Sequence, residues 1–166
     1  MKKQLLPMEE LAKLLQVQLN NGGRADLVVT GVSMYPMLHN RKDSVSLIPP
    51  PQLCKKSDII LYRRESGQYV LHRIVRVKDG GYICCGDNQA ETEPVAHSQV
   101  MAVVNGFTRK GKTYTLDHKG YRVYLFFWVD LLPVRQVYII LRHALGDLRR
   151  KWKKKQKTIL GGTDHE

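Results

Sequence analysis

The sequence predicts a mainly β fold. An antiparallel β domain over residues 24–118 follows an amphipathic helix in residues 1–23 and precedes an apolar, then basic, helical segment in residues 119–166. Three observations carry this expectation. Apolar and polar residues alternate in run after run between Ala25 and Asp117, which is the period of a half-buried strand. Turn residues separate these runs at short intervals with no helical pattern between them, which favours antiparallel pairing over βαβ units. Finally, 166 residues with 43% apolar content are enough for one packed core.

The elements follow in order. In "MKKQLLPMEELAKLLQVQLNNGG", Pro7 suits a first helical turn, and Met8, Leu11, Leu15 and Leu19 recur at helical spacing until Asn20 to Gly23 stop them. Glu9, Glu10 and Lys13 interrupt the apolar run that a secretory signal needs. "ADLVVTG" reads as a strand leading into a bend, and "SVSLI" as a strand that stops at Pro49-Pro50-Pro51. "DIILYR" and "YVLHRIVRV" are separated by Glu65-Ser66-Gly67, and Asp79-Gly80-Gly81 turns the chain into "YICC". "QVMAVVNGF" and "KTYTLD" form a further hairpin around Arg109, Lys110 and Gly111.

The stretch "YRVYLFFWVDLLPVRQVYIIL" is apolar and aromatic but carries Arg122, Asp130 and Arg135. A charge at the bilayer midplane costs about 2.5–3.5 kcal/mol, so no transmembrane helix is predicted. Two short helices hinged at Pro133 are expected instead, lying either in a membrane interface or packed on the β domain. Arg149, Arg150, Lys151, Trp152, Lys153, Lys154 and Lys155 follow, and they are candidates for contact with an anionic membrane.

The net charge of +12 is uneven: Arg142 to Lys157 hold eight basic residues and one acid, leaving +5 for the rest of the chain. A basic tail of this kind does not describe a nucleic-acid-binding domain, and nucleic acid is not an expected partner. Cys54, Cys84 and Cys85 form no C-x-x-C pair and are expected as buried thiols in a reducing compartment. No spacing of ligands or glycines points to a metal or a cofactor.

Chemistry centres on "TGVSMYPML". Ser33 between a glycine and a proline is either a plain turn residue or a nucleophile held in a rigid bend, and a serine nucleophile needs a base. Among six histidines, His72 lies mid-strand with Val70 and Ile74 on its face. It is either a hydrogen-bonded core residue or a neutral imidazole ready to accept a proton. Asp87 in "CCGDNQ" is either a turn residue or the carboxylate that orients His72.

In order and spacing, "GVSMYPML", "SDIILYRRESGQYVLHRIV", "YICCGDNQ" and "VVNGF" resemble the signature boxes of the type I signal peptidase family, across roughly Thr30 to Phe107. "HRI", where many bacterial members have a lysine, is similar to the Ser/His branch of endoplasmic-reticulum and sporulation-associated enzymes. The resemblance implies a signal-peptidase-like β domain, with Ser33 as nucleophile, His72 as general base and Asp87 as the acid. Gly31, Met34 and Pro36 would shape the substrate-binding and oxyanion bend, Met34 and Pro36 by packing. Some members carry a hydroxyl two residues before the serine. Here that position is Gly31, so the Ser33 N–H is the expected oxyanion donor and Thr30 a distant one.

The implied activity is serine endopeptidase cleavage of a leader or signal-like peptide after small residues, without a cofactor. Family members typically carry a membrane-spanning helix. This chain shows only the amphipathic one, so it is expected in the cytoplasm or peripheral to the inner membrane face, with a small precursor as partner. The alternative is a non-catalytic peptide- or membrane-binding module on the same fold. A self-cleaving repressor of the SOS type is disfavoured, because no Ala-Gly or Cys-Gly linker precedes Ser33.

Overall fold

The computed structural model describes residues 8–160. Its centre is one antiparallel sheet, curled into a half-barrel, with helices from the N- and C-terminal regions against it. The strands are β1 (Ala25–Val28), β2 (Ser44–Ile48), β3 (Ile59–Arg63), β4 (Tyr69–Lys78), β5 (Gly81–Cys85), β6 (Glu93–Ala96), β7 (Val100–Arg109) and β8 (Lys112–Thr115). Their order is β1-β2-β7-β3-β4-β5-β6, with β8 paired to β7. Every alternating run named above forms a strand. The additional strand, β6, is a four-residue edge strand containing Pro94, a residue that sheets accept at their edges.

The alternation sorts side chains to two cores. One face gathers Val45, Leu47, Ile59, Leu61, Ala102 and Phe107 with Leu15 and Leu19 of helix α1 (Met8–Asn20). The other holds Ile60, Tyr62, Ile74, Tyr82, Cys84 and Val103. All three cysteines are free and buried. Burial pushes the Cys84 thiol up to about 12, away from thiolate chemistry.

After β8, helix α2 (Lys119–Leu125) runs into a π-helical turn, Phe126–Asp130, and then into helix α3 (Leu132–Leu160). The expectation of two short helices hinged at Pro133 is corrected here. The chain leaves helical geometry at Leu131 (φ −95°, ψ 34°), and α3 is a single helix of 29 residues. Pro133 lies in the first turn of α3, where the missing N–H removes no intrahelical bond. The two arms meet at 82°.

Candidate active site

Ser33 lies in the loop between β1 and β2, and local chemistry holds that loop. Gly31 has φ +90° with open space around it, so glycine is favoured there for its backbone freedom. The Gly31 N–H donates to Asn40 Oδ1 at 3.0 Å, and Leu38 N–H closes a helical turn onto Met34 O at 2.9 Å. Buried Asp43 accepts from the His39 N–H at 2.8 Å and pairs with the His39 ring. Burial would raise the Asp43 carboxyl, but these bonds outweigh it and hold the carboxyl below its ordinary value. Met34 is buried in the main core, so its side chain anchors the bend from below.

The bend docks on the turn after β5. Asn88 N–H donates to Ser33 O at 2.7 Å. A β-carbon on Gly86 would stand 2.8 Å from that same oxygen, so the close approach depends on glycine. Arg73 of β4 pairs with Cys85, the last residue of β5, so the turn that receives the Ser33 carbonyl begins directly after the strand paired with β4. Among the described residues the Ser33 N–H and hydroxyl make no hydrogen bond. Ser33 itself is half-buried.

His72 is held from one side only. Its Nδ1 lies 3.0 Å from Glu93 Oε1 and 3.1 Å from the Tyr62 hydroxyl. Tyr62 itself donates to Glu93 Oε1 at 2.5 Å. Arg64 forks onto the same carboxylate, Nε to Oε2 and Nη2 to Oε1, both at 2.7 Å. Burial would raise the Glu93 carboxyl, but the Arg64 and Tyr62 bonds prevail and keep it below its ordinary value. An ionised carboxylate only accepts, so Nδ1 carries the ring proton and Nε2 keeps its lone pair.

Nε2 has no protein partner among the described residues. The sole fully buried side-chain nitrogen or oxygen without a partner there is Arg135 Nε. The 3% of His72 that stays exposed therefore includes Nε2. Burial lowers the His72 pKa, the Glu93 charge partly restores it, and the net value lies below the ordinary 6.5. The ring is neutral near pH 7.

Asp87 does not orient His72, and the expected role is corrected. It is fully buried and receives a two-pronged ion pair from Arg73, Nε to Oδ1 at 2.9 Å and Nη2 to Oδ2 at 2.7 Å. Tyr124 donates to Asp87 Oδ2 at 2.9 Å and Trp128 Nε1 to Asp87 O at 2.8 Å. Arg73 and His72 are neighbours in a strand and project to opposite faces, and Asp87 lies on the Arg73 side. Glu93 reaches the His72 side through Cys84, which pairs with Ile74 in β4 and with Glu93 in β6. No motif marks Glu93; the signal was this face parity, visible only once β6 is known to be a strand.

The loop 86–92, the start of β6 and α3 border an open groove of about 490 Å³, lined by Arg64, Asn88, Glu91, Glu93, Ile140 and His143. Among the described residues no group of His, Cys, Asp and Glu could hold a metal ion. Neither a family model nor a curated protein matches this chain.

Proposed function

We propose that the protein is a serine endopeptidase of signal-peptidase type, with Ser33 as nucleophile, His72 as general base and Glu93 as the carboxylate that orients the base. The observation that carries this reading is the imidazole. A carboxylate kept ionised by Arg64 and Tyr62 holds Nδ1, which leaves Nε2 of a neutral ring without a protein partner among the described residues. A histidine that served packing alone would need one partner and no opening.

In this reading a peptide carbonyl sits over the bend. His72 Nε2 takes the Ser33 hydroxyl proton as Oγ bonds to the carbonyl carbon, and the Ser33 N–H donates to the developing oxyanion. The C–N bond then breaks, with the Nε2 proton passing to the departing amine. Water, deprotonated by the same nitrogen, releases the acyl group and restores the serine. Glu93 stabilises the transient imidazolium. Met34, Met37 and Leu38 tie the bend into the main core, which keeps the hydroxyl in place during both steps. The resemblance to type I signal peptidases supports a leader or signal-like peptide, cut after small residues, as the substrate class.

The test is cleavage of a peptide library with small residues before the scissile bond. Turnover should be lost in Ser33→Ala and fall by at least ~10² in His72→Ala. Full activity in both variants defeats the proposal. No turnover by the wild type, with retained peptide binding, would favour a binding module.

A further inference from the structure

Helix α3 has two faces of opposite character. Toward the domain, Arg135 donates to Trp128 O at 3.1 Å, Gln136 donates to Ala90 O, and Arg142 meets Asn88. Ile139 is buried between them. On the other face Val134, Tyr138, Leu141, Leu145, Leu148 and Trp152 recur at intervals of three and four residues, each 52–66% exposed. Such a stripe normally faces a core. Around the 82° bend the apolar surface continues in Phe126 and Phe127, both exposed. An apolar surface of this extent marks an interaction site.

Charge indicates what covers it. From Leu131 to Lys157 the sequence holds one acid, Asp147, against a run of basic residues that begins at Arg149, in the last turn of the stripe. Arg149, Arg150 and Lys151 are exposed, while the side chains of Lys153, Lys154 and Lys155 lie outside those described. A second copy of the chain would bring an equal positive charge to the contact, and a straight helix–helix seam would leave Phe126 and Phe127 uncovered. No single described helix is long and apolar enough to cross a bilayer, though α2 and α3 pass that test together as a bent pair. The hydrogen bonds from Arg135, Gln136 and Arg142 to the domain side would have to break for α3 to insert.

We propose that α2 and α3 seat the protein on the surface of an anionic phospholipid bilayer. The stripe enters the acyl boundary and the basic residues after it lie among the headgroups. Because Gln136 and Arg142 bond residues 90 and 88 of the loop bordering the groove that Glu93 lines, docking places that groove beside the lipid. The inference is independent of hydrolysis, and it is tested on the Ser33→Ala protein as well as the wild type.

The experiment is co-sedimentation of the full chain with phosphatidylcholine vesicles and with vesicles containing about 30% phosphatidylglycerol. Expected are at least tenfold stronger binding to the anionic vesicles, weakening at 0.5 M salt, and release by an alkaline carbonate wash. Leu141→Glu combined with Leu145→Glu, both exposed positions, should lower binding at least tenfold. Arg149→Ser with Lys151→Ser should lower the preference for anionic lipid, and unchanged circular dichroism verifies folding in both. Equal or absent binding to the two vesicle types overturns the proposal. So does resistance to the alkaline wash, which would mean a spanning pair, or a salt-stable dimer in solution that is lost in the glutamate variant.

Discussion

An imidazole has two nitrogens, and what holds one decides what the other can do. At His72 the Nδ1 side is crowded with Glu93 and Tyr62 while Nε2 is open, so the proton-accepting site is set by a carboxylate 21 residues downstream. Glu93→Gln removes the charge but keeps an oxygen, and kcat/KM should fall by ~10²–10⁴. Glu93 is partly exposed, so its ion pairs add little to stability and unfolding should change by about 1 kcal/mol or less. Wild-type kcat/KM should rise with pH through a pKa below the ordinary histidine value, because burial disfavours the cation. Glu93 raises that pKa, so its removal should move the acid limb to still lower pH even as the plateau falls. A pH–rate series on both proteins checks this; a limb that moves upward contradicts it.

The same shift enters folding stability. Folded His72 resists protonation, whereas unfolded histidine takes a proton near pH 6.5. Below about 6.5 the unfolded chain therefore binds more protons and stability falls as the pH drops. Urea titrations at pH 5 and 7 should show a smaller loss in His72→Gln than in the wild type.

At the scale of elements, the site exists because a loop and a strand end meet over a missing side chain. A β-carbon at Gly86 would lie 2.8 Å from Ser33 O and 2.7 Å from Gln89 Oε1. The glutamine can swing aside, but the backbone carbonyl cannot move without carrying the serine with it. Gly86→Ala should therefore lower kcat/KM by ~10²-fold, the scale of a 1 Å misplacement, with the strand signal in circular dichroism retained. Full activity would show that the bend is not seated on this turn. This element was half legible in the sequence. The turn residues of "CCGDNQ" are plain, and the bend at Gly31 and Pro36 is equally so. The contact between the two is not, because more than fifty residues separate them and the strands that flank them, β2 and β5, are not neighbours in the sheet. β6 was illegible for another reason: four residues with an interrupting proline carry too little alternation to distinguish a strand from a loop.

For the molecule as a whole, Asp87 is the tie between sheet and C-terminal helices. It accepts from Arg73 of β4 and Tyr124 of α2, its backbone carbonyl accepts from Trp128, and Arg135 of α3 lies 3.8 Å away. Arg73 is held strongly cationic: burial opposes the charge, and the Asp87 carboxylate more than offsets it. Asp87→Asn leaves a buried guanidinium without its counter-charge, which costs about 3–5 kcal/mol. Urea unfolding should show this loss, with altered Trp128 fluorescence as α2 loosens. Contrasting effects, Asp87 on stability and Glu93 on rate, separate the two carboxylates; a rate loss at unchanged stability in Asp87→Asn would reverse the assignment.

By itself the sequence determined the mainly β class, the seven alternating strands, the amphipathic first helix, the bend at Ser33, the strand position of His72 and the buried cysteines. All of these are local, written in periods of two and 3.6 and in turn residues. Tertiary structure alone decided which acid His72 meets and which face of α3 is left bare. Both depend on which side of an element meets which neighbour, and that choice is made by pairing between residues far apart in the chain. Adjacent strand residues point opposite ways, so a carboxylate correct in type and close in sequence stands on the wrong side of the sheet.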